Sequence, residues 1–263
     1  MSSLESDDAT TQLAVECRSG TDPTLPPIVF VHGAMDRGES FYRVRRRLPE
    51  FPVVTYDRRG YNASLDVGAS PDVTRHAADL ARIIGPRPSI VVGHSFGGVV
   101  ALLTAQEYPE RIASLALYEP PTPWIDRSGA GEDRGDRRHP EDPAAAAEWF
   151  LTRMIGRDVW SRLRPDVRAR RRAEGAALLG DLDGLGRTKP YDPSRLAGPV
   201  TVGHGSNATD RHRLGARSLA DDIAGAELTT IEGAAHGAHL SHPDGFALFV
   251  RHSAARRRSV TDG

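Results

Sequence analysis

Gly93-His94-Ser95-Phe96-Gly97 sets a serine between two glycines, directly after the apolar run Ile90-Val91-Val92 and directly before Gly98-Val99-Val100. A serine hydroxyl is a weak nucleophile at neutral pH, and it attacks an acyl carbon only when a base within hydrogen-bond reach takes its proton. The pattern suits a nucleophile elbow, in which the chain leaves a strand, turns sharply and enters a helix with the serine at the apex. Gly93 and Gly97 lack Cβ atoms where strand and helix come closest, so Ser95 can hold an unfavourable backbone conformation and project its hydroxyl. Ser95 is therefore the candidate nucleophile. Imidazole has the best-matched pKa for the base, and ten histidines compete for that role. His236 sits in a loop of small residues, Gly233-Ala234-Ala235, that can bring its ring towards Ser95. His239 and His242 fall at the start of the closing helix, where capping or surface roles suit them. The triplet His236-x-x-His239-x-x-His242 lacks the helical spacing and neighbouring carboxylates of hydrolytic metal sites, so no metal and no other cofactor is expected.

These side chains need a scaffold, and the hydrophobic pattern supplies one. Gln12–Arg18 alternates like an edge strand, whereas Pro27–Val31, Val53–Tyr56, Ile90–Val92 and Ile112–Tyr118 are short continuous apolar runs like buried strands. Helices are expected over Glu39–Leu48, Asp72–Ile84 and Phe96–Glu107, the second ended by Gly85-Pro86. Strands alternating with helices argue for an α/β fold with a mostly parallel sheet covered on both faces. The rhythm then breaks. Pro120–His139 is rich in Pro, Gly, Arg and Asp, and helices are expected to follow at Pro143–Met154 and Val159–Leu179. Trp149, Phe150, Met154, Ile155 and Trp160 supply apolar surface that holds these helices together. Strand Pro199–Val202, helix Arg211–Ile223, strand Glu227–Ile231 and helix Pro243–Ala254 resume the alternation.

Composition excludes several classes of partner. Lys and Arg number 34 against 35 Asp and Glu, a net charge of −1, so nothing global draws the chain to nucleic acid or to an anionic membrane. The expected partner is a small-molecule substrate, with the protein a monomer or a homodimer. Lys189 is the sole lysine, and the arginines, including the run Arg256-Arg257-Arg258, are expected to be solvated surface. Cys17 stands alone, which rules out an intrachain disulfide and points to a reducing, cytoplasmic setting. Its place in a strand-like run suggests a buried structural thiol. Residues 1–11 are polar and acidic, unlike a signal peptide, and no stretch approaches the roughly 20 apolar residues that span a bilayer.

Four patterns occur in one order: His32-Gly33 after a buried strand, Tyr56-Asp57-Arg58-Arg59-Gly60, the Ser95 motif, and Gly233-Ala234-Ala235-His236. Together they closely resemble the α/β-hydrolase family, from Pro27 to about Arg251. The resemblance implies a core formed by residues 1–119 and 194–263, a helical cap inserted as residues 120–193 after the strand ending near Tyr118, and disordered tails at 1–11 and 256–263. It also places the base at His236, while His32 and His94 orient loops by hydrogen bonding. The acid departs from the common pattern. Most members carry Asp in the turn that reads here Gly203-His204-Gly205-Ser206-Asn207-Ala208-Thr209-Asp210, and Ala208 stands about where it belongs. Asp210 comes two residues late and suits a helix N-cap. Glu119, immediately after the strand beyond the nucleophile, is where certain haloalkane dehalogenases place their acid, so it is preferred, with Asp210 as the alternative. Backbone N–H groups of Ala34 and Phe96 are the expected oxyanion hole, with Met35 as alternative to Ala34. Serine rather than aspartate at position 95 points away from dehalogenases and epoxide hydrolases. The resemblance implies a serine hydrolase cleaving a small ester, lactone or thioester through an acyl-enzyme. An acyltransferase or a cofactor-free haloperoxidase-like enzyme on the same site, or a weakly catalytic ligand-binding or sensor protein, are the alternatives.

Overall fold

The structure is a computed structural model that describes residues 12–125, 139–185, 189–196 and 198–257. The expected tails, in their parts 1–11 and 258–263, and residues 126–138 of the Pro120–His139 loop lie outside the described residues. Seven strands form one sheet: β1 (Val15–Arg18), β2 (Ile28–Val31), β3 (Val53–Tyr56), β4 (Ser89–His94), β5 (Ile112–Tyr118), β6 (Val200–Gly205) and β7 (Glu227–Ile231). Their spatial order is β1-β3-β2-β4-β5-β6-β7, with β1 antiparallel to β3 and every other pairing parallel. Strands β2, β4 and β5 are buried along their whole length, as their continuous apolar sequences require.

The period of two along each strand divides the core into two layers. Val29, Val31, Val91, Leu115, Leu117 and Val202 face one way, whereas Ile28, Phe30, Ile90, Val92, Ala116 and Tyr118 face the other. The first layer is closed by α2 (Val73–Ile84), α3 (Phe96–Glu107) and α8 (Asp210–Asp222), the second by α1 (Tyr42–Arg45), the single turn α9 (Ala238–Ser241) and α10 (Pro243–Ala255). Asp72 caps α2 by accepting from the Thr74 N–H at 2.8 Å, and Gly85 at φ 69° ends it. The helix expected over Glu39–Leu48 is shorter: a 3-10 turn at Gly38–Phe41 leads into α1, a single turn.

Between β5 and β6 run α4 (Pro143–Ile155), α5 (Arg157–Arg162), α6 (Pro165–Ala173) and α7 (Gly175–Gly184). The single helix expected over Val159–Leu179 is divided because Pro165 holds Arg164 in an extended conformation, ψ 147°, and opens a new helix at its own position. Trp160, Leu151 and Leu178 bury themselves with Met35 and Tyr61 of the sheet-side loops, and Phe150 packs against them. Met154 and Ile155 do not share in this; both are exposed.

Two further expectations are corrected. Cys17 is exposed, because β1 pairs on one side only and lies at the sheet edge. Arg256 is not a solvated tail residue. It donates to the Val200 carbonyl at 2.6 Å and the Gly225 carbonyl at 2.7 Å, so it ties the end of α10 to the β6–β7 edge. Among the described residues no helix is long and apolar enough to cross a membrane.

Candidate active site

Ser95 lies between the last residue of β4 and the first of α3, at φ 52° and ψ −127°. Such a conformation costs a non-glycine residue on the order of 1–3 kcal/mol, and it persists because both flanks are anchored. Val91 and Val99–Leu103 sit in the core, and the Ser95 N–H donates to the Tyr118 carbonyl at 3.0 Å. Gly97 permits the turn, since a Cβ there would stand 2.1 Å from the Val31 carbonyl oxygen. Four described non-glycine residues have positive φ, namely Met35, Asn62, Ser95 and Glu119. Met35, Ser95 and Glu119 follow the carboxyl ends of the neighbouring strands β2, β4 and β5, the edge where such a sheet presents its ligands.

Glu119, at φ 46°, follows the last residue of β5 and is fully enclosed. Its Oε1 accepts from the Gly205 N–H at 2.9 Å, and its Oε2 accepts from His236 Nδ1 at 2.7 Å. Burial alone would raise this carboxyl's pKa. The hydrogen bonds from His236 and Gly205, with the nearby His212 and His236 rings, instead hold it below its ordinary value. With Nδ1–H committed to Glu119, His236 keeps Nε2 for proton exchange. The loop that carries His236 is pinned twice: Tyr118 Oη donates to the Ala235 carbonyl at 3.0 Å, and His94 Nε2 donates to the His236 carbonyl at 2.8 Å.

The other expected acid is placed elsewhere. Asp210 is the first residue of α8 and pairs with Arg213 on an exposed face. Nor is it the N-cap; Thr209 fills that role by accepting from the His212 N–H. One residue of this region escaped the sequence reading. His212 Nδ1 stands 3.1 Å from Glu119 Oε2, and its ring stacks on His236 with centroids 4.4 Å apart at 15°. The only sequence signal for it is its place in the first turn of the helix that leaves β6.

The loop after β2 forms the opposite wall. A Cβ on Gly33 would fall 2.9 Å from Ser95 Cβ, so Gly33-Ala34 passes directly against the elbow. Met35, at φ 53°, is buried in the same apolar cluster as Tyr61 and Trp160. His32 accepts from the Arg58 N–H at Nε2, 2.8 Å, and donates from Nδ1 to the Gly33 carbonyl, 2.7 Å. Burial and the Arg58 charge lower its pKa to about 4, so this ring is neutral. Arg58 is buried and organises the wall. Its guanidinium donates to the His32 and Gly33 carbonyls at 3.0 and 3.2 Å and to Asp181 of α7 at 2.9 and 2.6 Å. Tyr61 Oη donates to the same Asp181 carboxylate at 2.7 Å, and the Arg58 guanidinium carbon lies 4.7 Å from the centre of the Phe96 ring. One buried cation thus joins the Gly33 turn, the residue after Ser95 and the inserted helices. Arg58 lay within a motif noted in the sequence; Asp181 carried no signal at all.

His239 is corrected: it is not a capping or surface residue but is 2% exposed, beneath the elbow. The triplet at 236, 239 and 242 diverges, with His236 on Glu119, His239 towards Asp36 and His242 beside Ser241. Among the described residues two groups have ligand atoms close enough together to hold a metal ion: Glu119–His212–His236, and Asp36–His94–His239.

A family model described as "Alpha/beta hydrolase family" matches residues 28–247. The chain is 30% identical over 243 residues to a pimeloyl-[acyl-carrier protein] methyl ester esterase from Chromobacterium violaceum, covering 84% of this chain and 91% of that protein. It is 34% identical over 97 residues to Lipase LipV from Mycobacterium tuberculosis, a match that takes in 35% of this chain and 36% of the lipase. Among solved structures, an alpha/beta hydrolase from Sphaerobacter thermophilus superposes with a TM-score of 0.65 at 28% identity, covering 91% of this chain and 95% of that one.

Proposed function

The chain belongs to the alpha/beta hydrolase family, and on that footing we propose that it is a serine hydrolase that cleaves a small carboxylic ester, lactone or thioester through an acyl-enzyme. His236 Nε2 takes the Ser95 proton as Oγ attacks the acyl carbon, and then returns it to the leaving alkoxide or thiolate. Water, deprotonated by the same nitrogen, releases the acid in the second half. Glu119 holds the Nδ1–H tautomer and stabilises the imidazolium that forms in each step. The Phe96 N–H, at the positive end of α3, and the Ala34 N–H receive the developing oxyanion. The helices α4–α7 act as a cap whose packing on Met35 and Tyr61 bounds the acyl pocket. The observation that carries this reading is the 2.7 Å contact of His236 Nδ1 with the buried Glu119 carboxylate, in a chain whose elbow serine stands on the adjoining strand. A small-molecule substrate, a monomer or homodimer, and a cytoplasmic setting suggested by the lone cysteine complete the proposal.

The test is stoichiometric labelling by a fluorophosphonate with the adduct located by mass spectrometry, together with turnover of p-nitrophenyl esters of increasing acyl length. Labelling at Ser95, abolished in Ser95→Ala, with burst release of p-nitrophenol is expected. A protein that neither labels nor turns over any ester or lactone is a binding protein, and the proposal fails.

A further inference from the structure

Beneath the elbow, three potential ligand atoms converge: Asp36 Oδ2, His94 Nδ1 and His239 Nε2. Asp36 Oδ2 is 3.3 Å from His239 Nε2 and 4.0 Å from His94 Nδ1, and all three atoms lie within 4.8 Å of one another. His239 is 2% exposed, its Nδ1 has no hydrogen-bond partner among the described residues and its Nε2 faces only the Asp36 carboxylate; His94 Nδ1 also lacks a partner. Buried polar atoms are ordinarily paired, so such a group asks for an occupant.

The tautomer of His94 says what kind. Its Nε2 faces the His236 carbonyl at 2.8 Å and must carry a hydrogen there. With the hydrogen on Nε2, Nδ1 is the nitrogen left as acceptor; it lies 4.0 Å from Asp36 Oδ2 and has no hydrogen-bond partner among the described residues. A lone pair turned towards a carboxylate oxygen and a second imidazole is unfavourable unless a hydrogen or a cation lies between them. The outer side of His94 is also that of a metal ligand, because a ligating imidazole characteristically donates its other N–H to a backbone carbonyl.

We propose that Asp36, His94 and His239 form a binding site for one Zn2+ ion. Two imidazole nitrogens and one carboxylate oxygen are a ligand set that Zn2+ accepts, with a fourth position left for water. Zn–N and Zn–O bonds of about 2.0–2.2 Å put tetrahedral ligand atoms roughly 3.3–3.6 Å apart, which the Asp36–His239 pair meets and the Asp36–His94 pair reaches by a movement of well under 1 Å. Asp36 is part-exposed, so the ion has a way in. Each ligand comes from a different segment beside the candidate active site: Asp36 lies two residues after Ala34, His94 ends β4 immediately before Ser95, and His239 is in α9, three residues after His236. Bound Zn2+ therefore cross-links the oxyanion, nucleophile and base loops without occupying the His236–Glu119 contact.

The experiment uses untagged full-length protein stripped with a chelator and titrated with ZnCl2, read by calorimetry and by thermal unfolding. One equivalent bound and a Tm that rises with Zn2+ are expected. His239→Gln and Asp36→Asn should each lose affinity at least about 100-fold, the upper end of what outer-shell losses alone cost, while His212→Gln binds as wild type does. If one ligand variant fails to fold, the other carries the comparison. X-ray absorption of the loaded wild-type protein should report two imidazoles in the first shell. Wild-type protein that takes up no Zn2+, binding that survives in the folded ligand variants, or binding abolished by His212→Gln overturns the proposal; the last would place the ion on Glu119, His212 and His236. None of these outcomes depends on turnover, so the Zn2+ site and the hydrolase proposal fail independently.

Discussion

Replacing Glu119 by Gln separates the two candidate acids and has a magnitude that follows from its contacts. Oε1 accepts from the Gly205 N–H and Oε2 from His236 Nδ1, whereas an amide offers one acceptor and one donor. With its oxygen on Gly205, the amide turns NH2 towards His236, Nδ1 must give up its hydrogen, and Nε2 becomes protonated where a free base is needed. With the amide reversed, two donors face each other in a buried site at a cost of about 1–3 kcal/mol. The first arrangement is cheaper, and it stores the imidazole in the wrong tautomer. An equivalent carboxylate-to-amide change in a serine protease triad lowers kcat about 10⁴-fold. We expect a loss of three to four decades here, about 4–5.5 kcal/mol of transition-state stabilisation at 1.36 kcal/mol per decade. KM should change little, since Glu119 acts on the base and does not face the substrate. The assay is kcat and KM on the best p-nitrophenyl ester, with circular dichroism to show an intact fold. Asp210→Asn is the companion and should retain wild-type kcat, because Asp210 is spent on Arg213 at the surface. A Glu119→Gln enzyme within tenfold of wild type, alongside an inactive Asp210→Asn, refutes the reasoning.

Three other perturbations follow from the same geometry. Gly97→Ala puts a methyl 2.1 Å from the Val31 carbonyl oxygen, so it should abolish fluorophosphonate labelling of Ser95, and wild-type labelling in a folded variant contradicts the elbow packing. Asp181→Ala leaves the Arg58 guanidinium buried without its counter-charge, which should lower unfolding free energy by about 3–5 kcal/mol in urea; a loss under about 1 kcal/mol counts against it. His32 and His76 are both held at a pKa of about 4 by burial and the Arg58 charge, against an ordinary 6.5. Between those values the unfolded chain binds more protons than the folded one, so stability falls as pH is lowered, by about 2 kcal/mol per ring at pH 5. Urea midpoints at pH 7 and 5 test this, and His76→Gln should remove its own share, about 2 kcal/mol of the difference; a midpoint that does not move refutes it.

The parts of the molecule legible in its sequence are those set by local periodicity and turn chemistry. Continuous apolar runs at Val29–Val31, Ile90–Val92 and Ile112–Tyr118 mark strands buried on both faces, because only a covered parallel sheet has use for them. Glycines flanking Ser95 mark the strained turn, since any side chain at Gly97 would strike β2. Small residues before His236 mark a loop free to carry an imidazole. Local pattern was a poorer guide where one residue changes the outcome: Pro165 divided an expected helix, and Cys17, expected as a buried thiol, is exposed on the edge strand that the alternation marks.

What tertiary structure alone decided is every meeting between segments far apart in the chain. Glu119 and Asp210 are both acids just beyond a strand; the family resemblance and the N-cap role expected of Asp210 favour Glu119, but only the fold brings one of them to His236. The order β4-β5-β6 sets the end of β5 beside the elbow, while the first turn of α8 directs Asp210 to Arg213 and His212 inward. Arg58 finds Asp181 across 123 residues, and Asp36, His94 and His239 converge from three separate segments. The physical reason is the same in each case. Residue type and spacing determine how a segment turns and which face it buries, whereas which charges share a buried point depends on strand order and on which helices close over the sheet.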